Sequence, residues 1–263
     1  NLRFATLANV PGNAPFFPAA YHMSGQPPCF ALAIEAADEA MLAFSDAGTL
    51  IEARQNLLGR LEGHAQKMGV VAEALAVRYQ TAFFGFDFSL APYPQECCSL
   101  GRALERLGLP ALGLHGSTAA AAFLACTLDD GRWKRTGFNG LMLPVLKDSG
   151  LAERAAQGTL STKDLLLYSA VCGTGLDTLP LPGDTSADEL MPILLDLAAL
   201  AVRLHKPLTA RLMPIPGKAA GDATQFAFEY FANSRVMSLP AERLGGALAA
   251  SPAAQALVTV PEI

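Results

Sequence analysis

Short apolar runs bounded by glycine or proline recur along the chain, and between them lie longer stretches in which apolar residues return every three or four positions. The first pattern predicts strands and the second helices. Strands are predicted at Arg3 to Val10, Cys29 to Ala36, Phe83 to Leu90, Leu176 to Leu181, Leu208 to Ile215 and Leu257 to Val260. Helices are predicted over Ala37 to Asp46, Thr49 to Tyr79, Ser99 to Leu107, Ser117 to Leu128, Leu151 to Ala156, Thr162 to Val171 and Ala187 to Leu204. Strands separated by helices of this length imply parallel crossover connections. The expected fold is therefore α/β, with a parallel-strand sheet that is either open or barrel-like.

Finer periodicity orients several of these elements. In the long helix, Leu57, Leu61, Met68, Val71 and Leu75 step down one face while Arg54, Glu62, Lys67 and Glu73 fall elsewhere, so that helix is expected to lie on a surface. Ser186 and Glu189 have capping-box spacing ahead of the last long helix, where Pro192 removes one hydrogen bond from the second turn. The run Phe84-Gly-Phe-Asp-Phe-Ser-Leu90 alternates strictly, which predicts three phenylalanines on one face and Asp87 and Ser89 on the other.

Composition narrows the function classes. A chain of 263 residues, 51% apolar and 16% charged, buries roughly three quarters of its unfolded surface, so residues 1–263 are read as one α/β domain. The net charge is −5 and the longest basic stretch is Arg132-Trp-Lys-Arg135, which leaves no electrostatic footprint for nucleic acid. The richest apolar segment, Leu190 to Leu204, carries Asp196, Arg203 and Pro192 and reads as a buried helix, not a membrane span. Five cysteines without a C-x-x-C pair indicate neither a disulfide framework nor a zinc knuckle, and fit a reducing, cytoplasmic setting. The first residue is Asn1, so an upstream part of a longer chain is expected to be missing.

Candidate chemistry gathers at strand ends. Asp87 and Ser89, Arg211 between Thr209 and Met213, and Glu35 after an apolar run are the charges a ligand crevice of an α/β fold requires, although strand ends also carry charges simply to reach solvent. Around Cys172-Gly-Thr-Gly-Leu-Asp177 and Gly183-Asp184-Thr-Ser186, glycines and aspartates frame a short strand leading into a helix start, which suits either ligand contact or turn chemistry. Lys218, between Gly217 and Gly221-Asp222, has the placing of an anion clamp or of a solvated loop. His22 lies in an apolar loop, where its ring needs a hydrogen-bond partner or a role. The carboxylates suit a hard divalent cation, but no spacing requires one. Cys97-Cys98 precedes a helix start, and Cys172 has the more glycine-rich context of a nucleophile. Hydrolase elbows, metalloprotease helices and complete phosphate loops are absent from the sequence.

With these residues in view, the chain resembles a family of bacterial and archaeal proteins called the PFL family, the domain of unknown function 711. The resemblance rests on Arg3-Phe-Ala-Thr-Leu-Ala-Asn-Val-Pro11 with Pro15-Phe-Phe-Pro-Ala-Ala-Tyr-His22, on Thr136-Gly-Phe-Asn-Gly-Leu-Met-Leu-Pro-Val145, and on Cys172-Gly-Thr-Gly-Leu-Asp177 through Pro182-Gly-Asp-Thr185. It also rests on Ala210-Arg-Leu-Met-Pro-Ile-Pro-Gly-Lys218 with Gly221-Asp222, and on Tyr230-Phe-Ala-Asn-Ser-Arg-Val-Met237. The resemblance implies a fold similar to the α/β barrel of pyruvate formate-lyase and other glycyl-radical enzymes. It does not imply their chemistry, because fold and function are separable: Arg235-Val236 continues into Met-Ser-Leu, without the Gly-Tyr of a radical loop. Cys97-Cys98 resembles the paired cysteines of pyruvate formate-lyase but falls outside the matching stretches.

The leading expectation is an α/β-barrel protein with a polar strand-end pocket for a small anionic metabolite, with catalysis, if any, independent of glycyl radicals. Its pocket would draw on His22, Glu35, Asp87, Cys172, Asp177, Asp184, Arg211, Lys218 and Asp222. Within that set, Cys172, Asp177 and His22 are the candidate catalytic groups. The alternative is a non-catalytic homo-oligomeric scaffold whose glycine and aspartate motifs are structural; it predicts that these side chains pair with one another and leave no pocket. A third reading makes Cys172 the nucleophile of a cysteine-dependent enzyme and requires an accessible thiol.

Overall fold

The computed structural model describes residues 3–12, 14–17, 25, 27–172 and 174–249. Through them run β1 (Thr6–Ala8), β2 (Cys29–Ala33), α1 (Ala37–Ser45), α2 (Leu50–Tyr79), β3 (Ala82–Asp87), α3 (Leu100–Glu105) and α4 (Ser117–Asp129). After these come α5 (Ser149–Gln157), α6 (Thr162–Ser169), β4 (Gly175–Pro182), α7 (Ala187–Arg203), β5 (Leu208–Ile215) and the short α8 (Gly246–Ala249). The strand expected at Leu257 to Val260 lies outside the described residues.

The architecture is α/β, but the described residues close no barrel. β2 pairs in parallel with β3, while β5 lies between β4, parallel to it, and β1, antiparallel. The segment between the two sheets touches each by one isolated parallel bridge, Phe86 to Arg135 on one side and Pro144 to Asp177 on the other. It does not become a strand because Gly137 and Asn139 take left-handed backbone angles of φ +68° and +48°, and Pro144 lacks a ladder N–H. No described helix is long and apolar enough to cross a membrane.

Helix ends follow their local chemistry. Thr49 with Glu52, Ser161 with Asp164 and Ser186 with Glu189 form reciprocal capping boxes. Helix α7 runs through Pro192 without a break. Helix α2 packs one long face, but its buried stripe is Ala53, Leu57, Leu61, Ala65, Ala72 and Ala76. The expected continuation through Val71 and Leu75 is therefore corrected: both are exposed, because spacings of four carry the inner face onto alanines.

A second correction concerns β3. Gly85 has φ +117°, and a Cβ there would stand 2.3 Å from the Lys134 carbonyl oxygen. The neighbouring segment approaches so closely that Phe86 N–H donates to Lys134 O at 2.8 Å. This irregularity breaks strict alternation. Phe83, Phe86 and Phe88 are buried together, Phe84 is exposed, and Asp87 and Ser89 are buried too.

Candidate functional site

The carboxyl ends of β2 and β3 open into a cleft of about 520 Å3, whose described lining includes Phe17, Glu35, Asp87, Ser89, Phe138 and Met142. This is the crevice position expected of parallel α/β strands. Two of the expected site residues, Glu35 and Asp87, meet here, and their states differ. Glu35 is exposed just beyond β2. Asp87 is only 4% exposed, and its carboxylate accepts the Ser89 hydroxyl and the backbone N–H groups of Phe138 (3.1 Å) and Asn139 (3.0 Å).

Asp87 thus anchors the loop at Thr136–Asn139. A Cβ on Gly137 would lie 2.0 Å from Asp87 Oδ2, so only glycine allows the loop to close over the carboxylate. Asn139, which the sequence reading did not single out, locks the other side. Its Oδ1 accepts from Phe88 N–H (3.1 Å) and Trp133 Nε1 (2.9 Å), while its Nδ2 donates to Thr136 O (2.6 Å). The signal available in sequence was the Gly137-Phe-Asn-Gly140 pattern, since asparagine between glycines favours a left-handed turn.

Asp177 and Arg211 face each other across β4 and β5. Asp177 is fully buried, and Arg211 donates to it through Nε at 2.5 Å and Nη2 at 2.8 Å. The guanidinium lies 4.7 Å from the Phe17 ring centroid, so it also braces an aromatic wall of the cleft. Its charge is neutralised by Asp177, which leaves it unsuited to clamp an anion.

The other expected residues do not join this site. Asp184 is exposed in the turn after β4, and the α7 N-terminus is capped by Ser186 instead. Lys218 sits in the turn after β5, where its carbonyl accepts Gly183 N–H at 2.8 Å, and Asp222 accepts Ala219 N–H at 2.8 Å in the next turn. Cys172 is 1% exposed and packed in the main apolar core, so the accessible thiol required of a cysteine nucleophile is not there. Its carbonyl and that of Ala170 are instead bound by Lys206 Nζ, a half-buried ammonium whose pKa burial pushes down. His22 lies outside the described residues. Among the described residues no three His, Cys, Asp or Glu side chains converge to hold a metal ion. The carboxylates that suggested a divalent cation are committed to backbone donors, to Arg211 or to separate turns.

Outside the cleft lining, two groups sense nearby acidic side chains. Tyr93 is raised above the ordinary phenol value by desolvation and by the negative charges of Glu229 and Glu35. The Cys98 thiol is pushed up to about 11 by burial, by its hydrogen bond and charge contact with Cys97, and by Asp38 and Glu35. Elsewhere, Asp148 is fully buried and accepts from Ser99 Oγ (2.5 Å) and from the N–H groups of Gly101 (3.0 Å), Gly150 (2.9 Å) and Leu151 (3.1 Å), tying α3 to α5.

A family model described as "Uncharacterised ACR (DUF711)" matches residues 1–234. Among curated proteins, the chain is 37% identical over 231 residues to a UPF0210 protein of Pyrobaculum aerophilum, an alignment covering 84% of this chain and 51% of the relative. A UPF0210 protein of Acetivibrio thermocellus is 32% identical over 231 residues, covering 85% and 51% of the two chains, and one of Methanopyrus kandleri is 33% identical over 227 residues, covering 84% and 50%. The chain spans about half the length of these relatives. Two stretches of the family resemblance now have physical content, because Thr136–Gly140 clasps Asp87 and Asp177 pairs with Arg211. The chain belongs to the DUF711 family of UPF0210 proteins.

Proposed function

We propose that this chain is a small-molecule-binding α/β domain whose ligand enters the cleft at the ends of β2 and β3 and places a cationic or hydrogen-donating group against Glu35. The observation that carries this reading is the contrast between the two carboxylates of the cleft. Asp87 has its acceptors filled by Ser89, Phe138 and Asn139, whereas Glu35 is exposed between apolar and aromatic walls that include Phe17 and Phe138. Convergent polar groups in an apolar cleft are the usual form of a ligand site, and aromatic faces favour a cation. The anionic ligand expected from sequence is revised on charge: Lys218 and Asp222 lie in surface turns, Arg211 is matched by Asp177, and the charged side chains of the cleft's described lining are the carboxylates Glu35 and Asp87.

The finer fold reading belongs to the same proposal. Parallel strands β2, β3, β4 and β5 follow one another in chain order, with the segment from Arg135 to Pro144 bridging β3 and β4. This order supports an arc of a wall like that of the pyruvate formate-lyase barrel, with the cleft on its carboxyl-terminal rim. A second reading, an assembling scaffold, is favoured by one separate observation: Val70, Val71, Val77 and Tyr79 of α2 are each 60–81% exposed.

A thermal-shift screen tests the proposal, because a ligand that binds only the folded chain raises its melting temperature. Primary amines and guanidines are expected to raise it, and Glu35→Gln is expected to fold normally and lose the response. Shifts produced by carboxylates or phosphates and retained in Glu35→Gln would overturn the reading. Absence of any shift, together with association of the chain that Val77→Asp and Tyr79→Asp abolish, would replace it with the scaffold.

A further inference from the structure

Cys97 and Cys98 lie apart from the Glu35 cleft, on a 3₁₀ turn (Glu96–Cys98) that opens onto a second cavity of about 550 Å3. Met41 and Leu42 of α1 form its apolar wall, and Asp38, Glu96 and Arg106 stand at its edge. Both cysteines are free, Cys97 exposed and Cys98 half-buried, and their sulfurs are 3.6 Å apart. Two sulfurs bound at about 2.3 Å to one centre stand about 3.3 Å apart when it is three-coordinate and pyramidal and about 3.8 Å apart when it is tetrahedral. The native spacing therefore matches a single soft centre bridging both sulfurs.

The turn holds that spacing from both sides. Cys98 N–H donates to Gln95 O at 3.0 Å, and its carbonyl accepts Tyr93 N–H at 3.2 Å. The next residue, Ser99, caps α3 and is fixed by buried Asp148. Among the described residues no third ligand completes a metal cluster, so the fitting guest is a centre satisfied by two sulfurs and one substituent of its own. Asp38 and Glu96 outnumber Arg106 among the charged side chains of the lining, which favours a neutral reagent over an anionic one.

We propose that Cys97 and Cys98 form a chelating dithiol site for neutral trivalent thiophiles of the organoarsenic oxide class. Both S–H bonds and the As–O bonding break, two As–S bonds form, and the two thiol protons leave with the oxygen as one water. No electrons are transferred, so no oxidant is required. The organic substituent packs against Met41 and Leu42. The site is independent of the Glu35 reading, and either stands if the other fails.

The test is titration of the reduced 263-residue chain with phenylarsine oxide, followed by intact-mass measurement and iodoacetamide mapping. One equivalent is expected to bind and to protect Cys97 and Cys98 together, while exposed Cys29 and Cys126 alkylate. The adduct is expected to survive excess monothiol and to be released by 2,3-dimercaptopropanol. Cys97→Ser and Cys98→Ser are each expected to weaken binding by about 100-fold, the loss of a second linked contact, whereas Cys126→Ser leaves it unchanged. Release by monothiol, protection of only one of the pair, or undiminished binding in Cys98→Ser would overturn the proposal. Mapping on the unaltered chain keeps the result readable if a variant fails to fold.

Discussion

Replacing Arg211 by methionine keeps most of its alkyl stem and removes the charge, so the variant isolates what the guanidinium does for Asp177. The carboxylate is 0% exposed and receives two charged hydrogen bonds, at 2.5 and 2.8 Å, from that one side chain. Stranding a buried charge costs about 3–5 kcal/mol, a large share of a total stability on the order of 5–15 kcal/mol. The reverse change is milder. In Asp177→Asn a neutral oxygen still accepts from Arg211, whose side chain keeps 15% exposure and its place over Phe17, so about 1–3 kcal/mol is expected. The double variant Asp177→Leu/Arg211→Met removes both polar partners and is expected within about 1 kcal/mol of the parent, because well-packed apolar replacements of buried pairs are often neutral. Urea unfolding followed by circular dichroism measures all four proteins, with an unchanged m-value licensing the comparison. A cost below about 1 kcal/mol for Arg211→Met, or a double variant at least as damaged as Arg211→Met alone, would refute the mutually dependent pair.

Three further outcomes are predicted. Gly137→Ala, which combines φ +68° with a Cβ 2.0 Å from Asp87 Oδ2, should cost clearly more than Gly217→Ala, which has φ +74° but open space; the second should show only the left-handed penalty of about 1–2 kcal/mol, and equal melting temperatures would contradict the clasp. Burial alone would raise Glu105, but hydrogen bonds from Arg154, Leu112 N–H and Arg102 hold it below the ordinary carboxylate value. Its contribution is therefore full above about pH 4.3 and lost as pH falls through the lower folded-state value, so the stability gap between the chain and Glu105→Gln should be constant near neutrality and close in acid; a gap that persists there argues against it. Thr209 Oγ1 is buried without a hydrogen-bond partner among the described residues, so Thr209→Val should leave the melting temperature unchanged or raise it, by up to about 1 kcal/mol of stability. A clear fall would reveal a partner for that hydroxyl.

Much of the fold was legible because its elements obey local rules. The seven helices read from periodicity correspond to α1 to α7, and β5 has the expected bounds, since capping residues and the period of apolar positions act within a few residues of each other. Periodicity failed at two places. The inner face of α2 follows spacings of four onto Ala65, Ala72 and Ala76, whose small side chains carry a weaker apolar signal than Val71 and Leu75, and alternation in β3 broke at Gly85, whose backbone admits the Lys134 carbonyl. That neighbour of β3 cannot be read from the strand itself. Of the open and barrel-like sheets the sequence allowed, the described residues show two small sheets and no closure: crossover spacing predicts parallel pairing, but the left-handed backbone at Gly137 and Asn139 and the proline at 144 reduce the link between the two sheets to isolated bridges.

The candidate site shows the same division more sharply. Sequence identified Glu35, Asp87, Asp177 and Arg211 as charges at or near strands, which is where the structure has them, but residue type alone could not say which charges were already spent within the fold. Asp87 is satisfied by N–H groups about fifty residues away, and Asp177 by a guanidinium on the next strand, beyond helix α7. Partners that remote are set by topology, not by spacing. The consequence for the proposal is a change in the expected ligand's sign: with Arg211 matched and Lys218 in a surface turn, the exposed charge among the cleft's described lining is carboxylate, and the anion clamp read from residue types gives way to an aromatic-walled cleft that carries Glu35. Charge inventories predict ligands only after intramolecular partners have been subtracted, and here that subtraction leaves Glu35 as the carboxylate a ligand would meet.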